Sequence, residues 1–178
     1  MKGLVLILGI VLATGCGRSS MPGSQHAGSG SPYFEFDELH HYFASIDESE
    51  VFPSSENEEI RPENKALIAI AVGDEPLSIQ GTTFIDMMEQ AGYVRKIVAQ
   101  QHFEAINDIF MEKSHDDWIG TTCIPIYRDI LVFSKADQVT GIAKICFECS
   151  KHQIIGTTAN TEYFGQSGDY RKLAQILH

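Results

Sequence analysis

Positive charge is what this chain has least of. Its 178 residues carry 13 Lys+Arg against 24 Asp+Glu, a net charge of −11 at pH 7. Nucleic-acid binding rests on neutralising phosphates with Lys and Arg, so the balance argues against a nucleic-acid partner. It argues equally against adhesion to anionic lipid through a basic patch. Long apolar runs are scarce as well. The one such run, residues 3–13, lies at the extreme N-terminus, and it falls short of the ~20 apolar residues that a spanning helix needs. Catalytic signatures are missing: there is no G-x-S-x-G, no H-E-x-x-H, no P-loop and no G-x-G-x-x-G. A scattered active site leaves no motif, so an enzyme is unsupported, and the expectation is a non-catalytic protein. Cysteine is sparse, at four residues.

What is present begins at the N-terminus. Lys2 supplies a positive start, and Leu4–Leu12 is an apolar stretch too short to span a membrane and of the length of a secretory signal. Ala13-Thr14-Gly15-Cys16 then runs small residues into a cysteine. This pattern resembles the lipobox of bacterial lipoproteins. One departure is Ala13, where that family usually has Leu; here Leu12 stands one place earlier. The resemblance implies that residues 1–15 are a signal peptide removed on export. It also implies that the Cys16 thiol carries the lipid, palmitate-type acyl chains included. Gly17, rather than Asp, follows the cysteine. In Gram-negative lipoproteins that implies release to the outer membrane. Each buried CH₂ of an acyl chain adds about 0.8 kcal/mol, so several chains hold a small domain durably.

Residues 17–32 (GRSSMPGSQHAGSGSP) hold Gly, Ser and Pro with little to bury, and read with Cys16 as a lipidated, flexible tether over 16–32. Residues 33–178 are long enough for one domain with a real core. Asp37 is expected to cap a short helix carrying Leu39, Tyr42 and Phe43. Asp47, Glu48, Glu50, Glu56, Glu58, Glu59 and Glu63 read as an acidic surface loop. The alternating ligands and glycine of an EF-hand are missing there. Ala66–Val72 (ALIAIAV) reads as a buried strand. Thr83–Ala91 reads as a helix with a Thr83/Asp86 capping box, ended by Gly92. Its Met87 and Met88 read as core filler. Tyr93–Ala99 reads as a strand. Gln100–Lys113 reads as an amphipathic helix with Phe103, Ile106, Ile109 and Phe110 inward.

The C-terminal third is expected to hold strands Ile126–Ser134 and Val139–Phe147, a third strand at Gln153–Thr157 and a last helix at Asp169–Leu177. Pairing across Asp137 and Gln138 places Arg128, Ile130 and Val132 on one face with Ala143, Ile145 and Phe147. Leu131 and Phe133 then share the other face with Ile142 and Lys144. Both faces of the first strand are apolar, which makes it central. The predicted architecture is α+β, an antiparallel sheet with helices packed on one face.

With Cys16 consumed by lipid, Cys123, Cys146 and Cys149 remain, and three cannot all pair within one chain. All three gather at one end of the hairpin. By this register Cys123 lies opposite about residue 152, three residues from Cys149 and six from Cys146. Six residues of strand span roughly 20 Å, beyond disulfide reach. Cys123–Cys149 is therefore the favoured disulfide, with Cys146 a free thiol and no cofactor. The alternative is a zinc site, Cys146-x-x-Cys149-x-x-His152 with Cys123 across the hairpin, a Cys₃His set suited to tetrahedral Zn²⁺. A third reading makes Cys146 and Cys149 a redox dithiol, but such pairs work at a helix N-terminus and CFEC ends a strand. Ser150 stands where covalent haem attachment needs His.

The stretch Cys123-x-Pro125-x-Tyr127-Arg128-Asp129-x-Leu131-x-Phe133, followed by Ile145-Cys146-Phe147-x-Cys149, resembles a pattern in small uncharacterised exported or lipid-anchored bacterial proteins. It implies that the hairpin and its cysteines are one unit, and it implies no reaction. Arg128 on an apolar face needs a partner, either a carboxylate or an anionic ligand. His40-His41 and His115-Asp116-Asp117 read as polar surface. The functional expectation is a lipid-anchored cell-envelope protein, binding or structural, with an envelope protein as partner. The alternative is a metal-binding or thiol-active protein.

Overall fold

The segment Asp129–Lys135 (DILVFSK) is apolar on both faces, and such a strand must be covered on both sides. In the computed structural model, which describes residues 30–52, 62, 64–115, 120 and 122–178, it is the middle strand of a five-stranded sheet. Among the described residues the elements run β1 (Glu38–Phe43), α1 (Glu48–Val51), α2 (Asn64–Ala71), α3 (Thr83–Gln90), β2 (Val94–Ile97), a 3-10 turn (Gln100–His102), α4 (Phe103–Ile109), β3 (Asp129–Lys135), β4 (Gln138–Cys146), β5 (Lys151–Ile155) and α5 (Asp169–Leu177). The sheet order is β2-β1-β3-β4-β5 and every pairing is antiparallel. The class is α+β, as expected. The signal-like segment 1–15, Cys16, the tether up to residue 29, Glu56, Glu58, Glu59, Glu63, Asp116 and Asp117 lie outside the described residues.

Two corrections concern helix against strand. Residues 38–43 form a strand, not a helix. Leu39 and His41 point to one face and Tyr42 to the other, the period-two alternation of a pleated strand. Asp37 still caps something: its carboxylate accepts the Ala136 N–H at the hairpin turn. Conversely, ALIAIA of ALIAIAV lies in helix α2, not in a strand, and Val72 is in the turn that follows. Leu67, Ile70 and Ala71 are buried at helical spacing, and alanine is the best helix former. A short apolar run does not distinguish the two states by periodicity alone.

Smaller corrections follow the same logic. No side-chain cap bond opens α3, so the Thr83/Asp86 box does not form, though Gly92 at φ 92° closes the helix as expected. The helix expected over 100–113 begins as a 3-10 turn and stops at Ile109. It stops because Met111 bridges Pro32 and the Glu112 N–H donates to the Ser31 carbonyl (2.9 Å). Residues 31–32 are thereby tied to the domain rather than free in the tether. The start of the acidic loop is ordered into α1. There the Asp47 carboxylate accepts the Ser49 N–H (2.9 Å) and Glu50 accepts the Asp47 N–H (2.7 Å).

The hairpin register differs from the expected one by one residue. The turn is the two-residue Ala136-Asp137, both at positive φ (48° and 62°), so Lys135 pairs with Gln138. Mirror-type turns of this kind match the twist of the strands. A bulge between Phe133 and Ser134 follows, and Ile130 then lies opposite Lys144, not Ile145. A slip of one residue exchanges the partners of each face. Lys144 therefore shares a face with Ile130 and Val132, and Ala143 and Ile145 join Leu131 and Phe133.

The core divides along the sheet. On one face Leu39, Leu131, Phe133, Ala143 and Ile145 pack with Ile106, Ile109 and Phe110 around α4 and with Leu173 and Leu177 of α5. On the other, Tyr42, Ile130, Val132 and Ile142 pack with Val51, Leu67, Ile70, Phe84 and Met88 of α1, α2 and α3. Helices thus cover both faces, not one. Each fully buried Leu, Ile or Phe contributes about 1.5–3 kcal/mol, so a central strand apolar on both sides demands this double cover. Among the described residues, no helix is long and apolar enough to cross a membrane.

Candidate functional site

Cys123 and Cys149 are joined in a disulfide with Cα atoms 5.9 Å apart, and Cys146 is a buried free thiol. The bond holds the 122–128 segment against the loop that follows β4. Cys146 and Cys149 cluster with Tyr127. The Tyr127 ring lies 4.7 Å below the Lys144 ammonium, which donates to the Gly73 and Glu75 carbonyls at 2.8 Å each. Burial lowers the Lys144 amine to about 8.

This arrangement does not assemble the Cys₃His zinc alternative. Two of its four ligands, Cys123 and Cys149, are spent in the disulfide. Of the other two, Cys146 is buried and His152 has Nδ1 2.8 Å from the Tyr170 hydroxyl and packs on the Phe164 ring. The same bond removes Cys149 from a redox pair with Cys146. Arg128 sits just before β3 rather than within it. Its guanidinium donates to the Ile46 carbonyl (3.0 Å) and pairs with Glu148. His115 donates to or accepts from Ser167 at 3.0 Å.

A different constellation lies at the same end of the sheet. His41, expected at the surface, is 3% exposed on β1, and Asp129, the first residue of β3, is 5% exposed. The pairing Phe43↔Asp129 and His41↔Leu131 sets both side chains on the α4/α5 face. His41 Nε2 lies 2.7 Å from Asp129 Oδ1. His178, directly after α5, brings its Nε2 to 3.0 Å from the same oxygen. The ligand atoms of the three residues all lie within 4.8 Å of one another. The His41 and His178 rings meet edge to face at 5.6 Å. Phe43 and Phe147 each bring a ring edge-to-face with His178 at 5.8 Å.

An open cavity of about 310 Å³ adjoins this cluster, bordered by Phe43, Arg128, Asp129, Ile145, Phe147 and His178. A smaller one of about 130 Å³ borders His41, Lys96 and Leu177. Two imidazoles facing one buried carboxylate can share protons with it or exchange those protons for a cation. No sequence pattern announces this cluster, because His41 and Asp129 are 88 positions apart and His178 comes from a third element. The one available signal was a charged residue at the start of a strand apolar on both faces, which must find a partner.

In comparisons with protein-family models, curated proteins and solved structures, nothing matches this chain.

Proposed function

We propose that this chain is a lipid-anchored protein of a bacterial cell envelope, and that its domain serves as a non-catalytic binding or structural module facing an envelope partner. The reading is carried by the N-terminal pattern, Leu4–Leu12 followed by Ala13-Thr14-Gly15-Cys16. The Cys123–Cys149 disulfide supports it, because such bonds persist in oxidising compartments and are rare in the cytosol. In this reading residues 1–15 are removed on export and Cys16 holds the acyl chains. Gly17 after the cysteine favours the outer membrane as destination.

The test is expression of the full chain in a Gram-negative host with labelled palmitate, followed by membrane fractionation. The wild type takes up label and fractionates with the outer membrane. Cys16→Ala accumulates as an unlabelled precursor. An unlabelled wild type, or a Cys16→Ala chain that matures and stays on the membrane normally, overturns the proposal.

A further inference from the structure

We infer that His41, Asp129 and His178 form a binding site for one divalent transition-metal ion, with zinc the ion that suits the donor set. Three separate elements supply the donors: β1, β3 and the residue that follows α5. Their convergence is not a by-product of one helix or one loop. Both imidazoles address a single oxygen of Asp129, at 2.7 and 3.0 Å. Counting side chains alone, Asp129 is 7% exposed and His41 4%, whereas His178 is 45% exposed. Two ligands are therefore fixed in the protein and the third is free to open and admit an ion.

The chemistry of the donors narrows the ion. Two imidazole nitrogens and one carboxylate oxygen are a borderline set, unlike the all-oxygen shells that calcium and magnesium take. Zinc binds such nitrogens and oxygens at about 2.0–2.2 Å, so neighbouring ligands of a tetrahedral ion stand about 3.3 Å apart. The 3.0 Å between His178 and Asp129 widens to that value by a few tenths of an ångström as the exposed His178 ring rotates, and the 2.7 Å between His41 and Asp129 by about 0.6 Å of adjustment within the buried pair. Three protein ligands leave a fourth position, and the 310 Å³ cavity beside Asp129 and His178 provides room there for water or a small ligand.

The electrostatic setting also favours a cation. The whole chain is at −11, which draws cations to its surface. The two positive side chains bordering the cavities each have a partner in the same cavity wall. Arg128 pairs with Glu148, and the Lys96 ammonium donates to the Leu177 carbonyl at 3.4 Å. Phe43 and Phe147 meet the His178 ring edge to face and supply an apolar rim to the site.

The site does not depend on the lipid anchor, so its test stands apart from the test of export. The full chain in detergent is stripped with chelator, dialysed and titrated with ZnCl₂ by calorimetry, with elemental analysis of the product. One zinc per chain is expected. His178→Ala, at an exposed position, should keep the circular dichroism spectrum and weaken zinc at least about tenfold. Asp129→Asn, of the same shape, should do likewise. Cys146→Ala should leave binding unchanged. Absence of bound zinc, or binding undiminished in both His178→Ala and Asp129→Asn, overturns the inference, as does loss of zinc in Cys146→Ala.

Discussion

His152 on β5 is held between the Phe164 ring, with centroids 4.8 Å apart, and the Tyr170 hydroxyl, 2.8 Å from Nδ1. The neutral ring suits this place. Burial, the largest effect, pushes its pKa from 6.5 down to about 4, Lys151 adds to the fall, and a hydrogen bond with the Thr161 backbone opposes it. The folded ring thus takes a proton less readily than the ring in the unfolded chain. Between pH 6.5 and pH 4 the unfolded chain binds more protons, so this contribution is fully present above that window and is lost as pH falls through it. With one pKa unit equal to 1.36 kcal/mol, the loss reaches about 2 kcal/mol at about pH 5 and about 3 kcal/mol at about pH 4. Urea unfolding at about pH 7.5 and about pH 5 measures it. His152→Gln keeps a polar side chain but no titrating ring. Wild type should lose about 2 kcal/mol more than His152→Gln between the two conditions, because the carboxylates that also titrate are common to both. Parallel pH profiles for the two proteins would refute the reasoning.

Three further outcomes follow from other buried contacts. Asp169 is fully buried, with Oδ1 2.6 Å from the Lys113 ammonium and Oδ2 accepting the Gly165 N–H. Asp169→Ala strands that cation and should cost about 3–5 kcal/mol in chemical denaturation, whereas Lys113→Met with Asp169→Leu should cost much less. The Cys123–Cys149 bond closes a loop of sequence separation 26. The paired change to alanine should lower stability by about 3.5 kcal/mol on chain entropy, read by calorimetric unfolding. A Cβ at Gly141 would run into the Phe34 ring. Gly141→Ala should therefore cost about 1–3 kcal/mol, and Phe34→Leu in the same chain should recover part of it; an unchanged thermal midpoint for Gly141→Ala alone would contradict the packing.

The elements readable from the sequence are those whose pattern is long and whose ends are marked. Asp169–Leu177 is helical over the expected span, with Leu173 and Leu177 buried. The hairpin and the central place of β3 follow from an apolar strand on each side of a turn. The misread elements are short. ALIAIAV and ELHHYF each fit helix and strand alike, and the outcome was set by what they pack against: α2 against the Tyr42, Ile130 and Val132 face of the sheet, β1 between β2 and β3. The bulge at Phe133/Ser134 is invisible in composition, and it decided which residues face each other across the hairpin.

By itself the sequence determined the acidic balance, the α+β class and the cysteines brought together at one hairpin end. These depend on local pattern and on chain distance, both of which can be counted along the chain. Only the tertiary structure decided that helices cover both faces of the sheet, that Lys144 turns toward the carbonyls of Gly73 and Glu75, and that His41, Asp129 and His178 meet. Those outcomes depend on the register of neighbouring strands and on where α5 docks. A shift of one residue in the sheet would turn Asp129 or His41 to the opposite face and take the site apart.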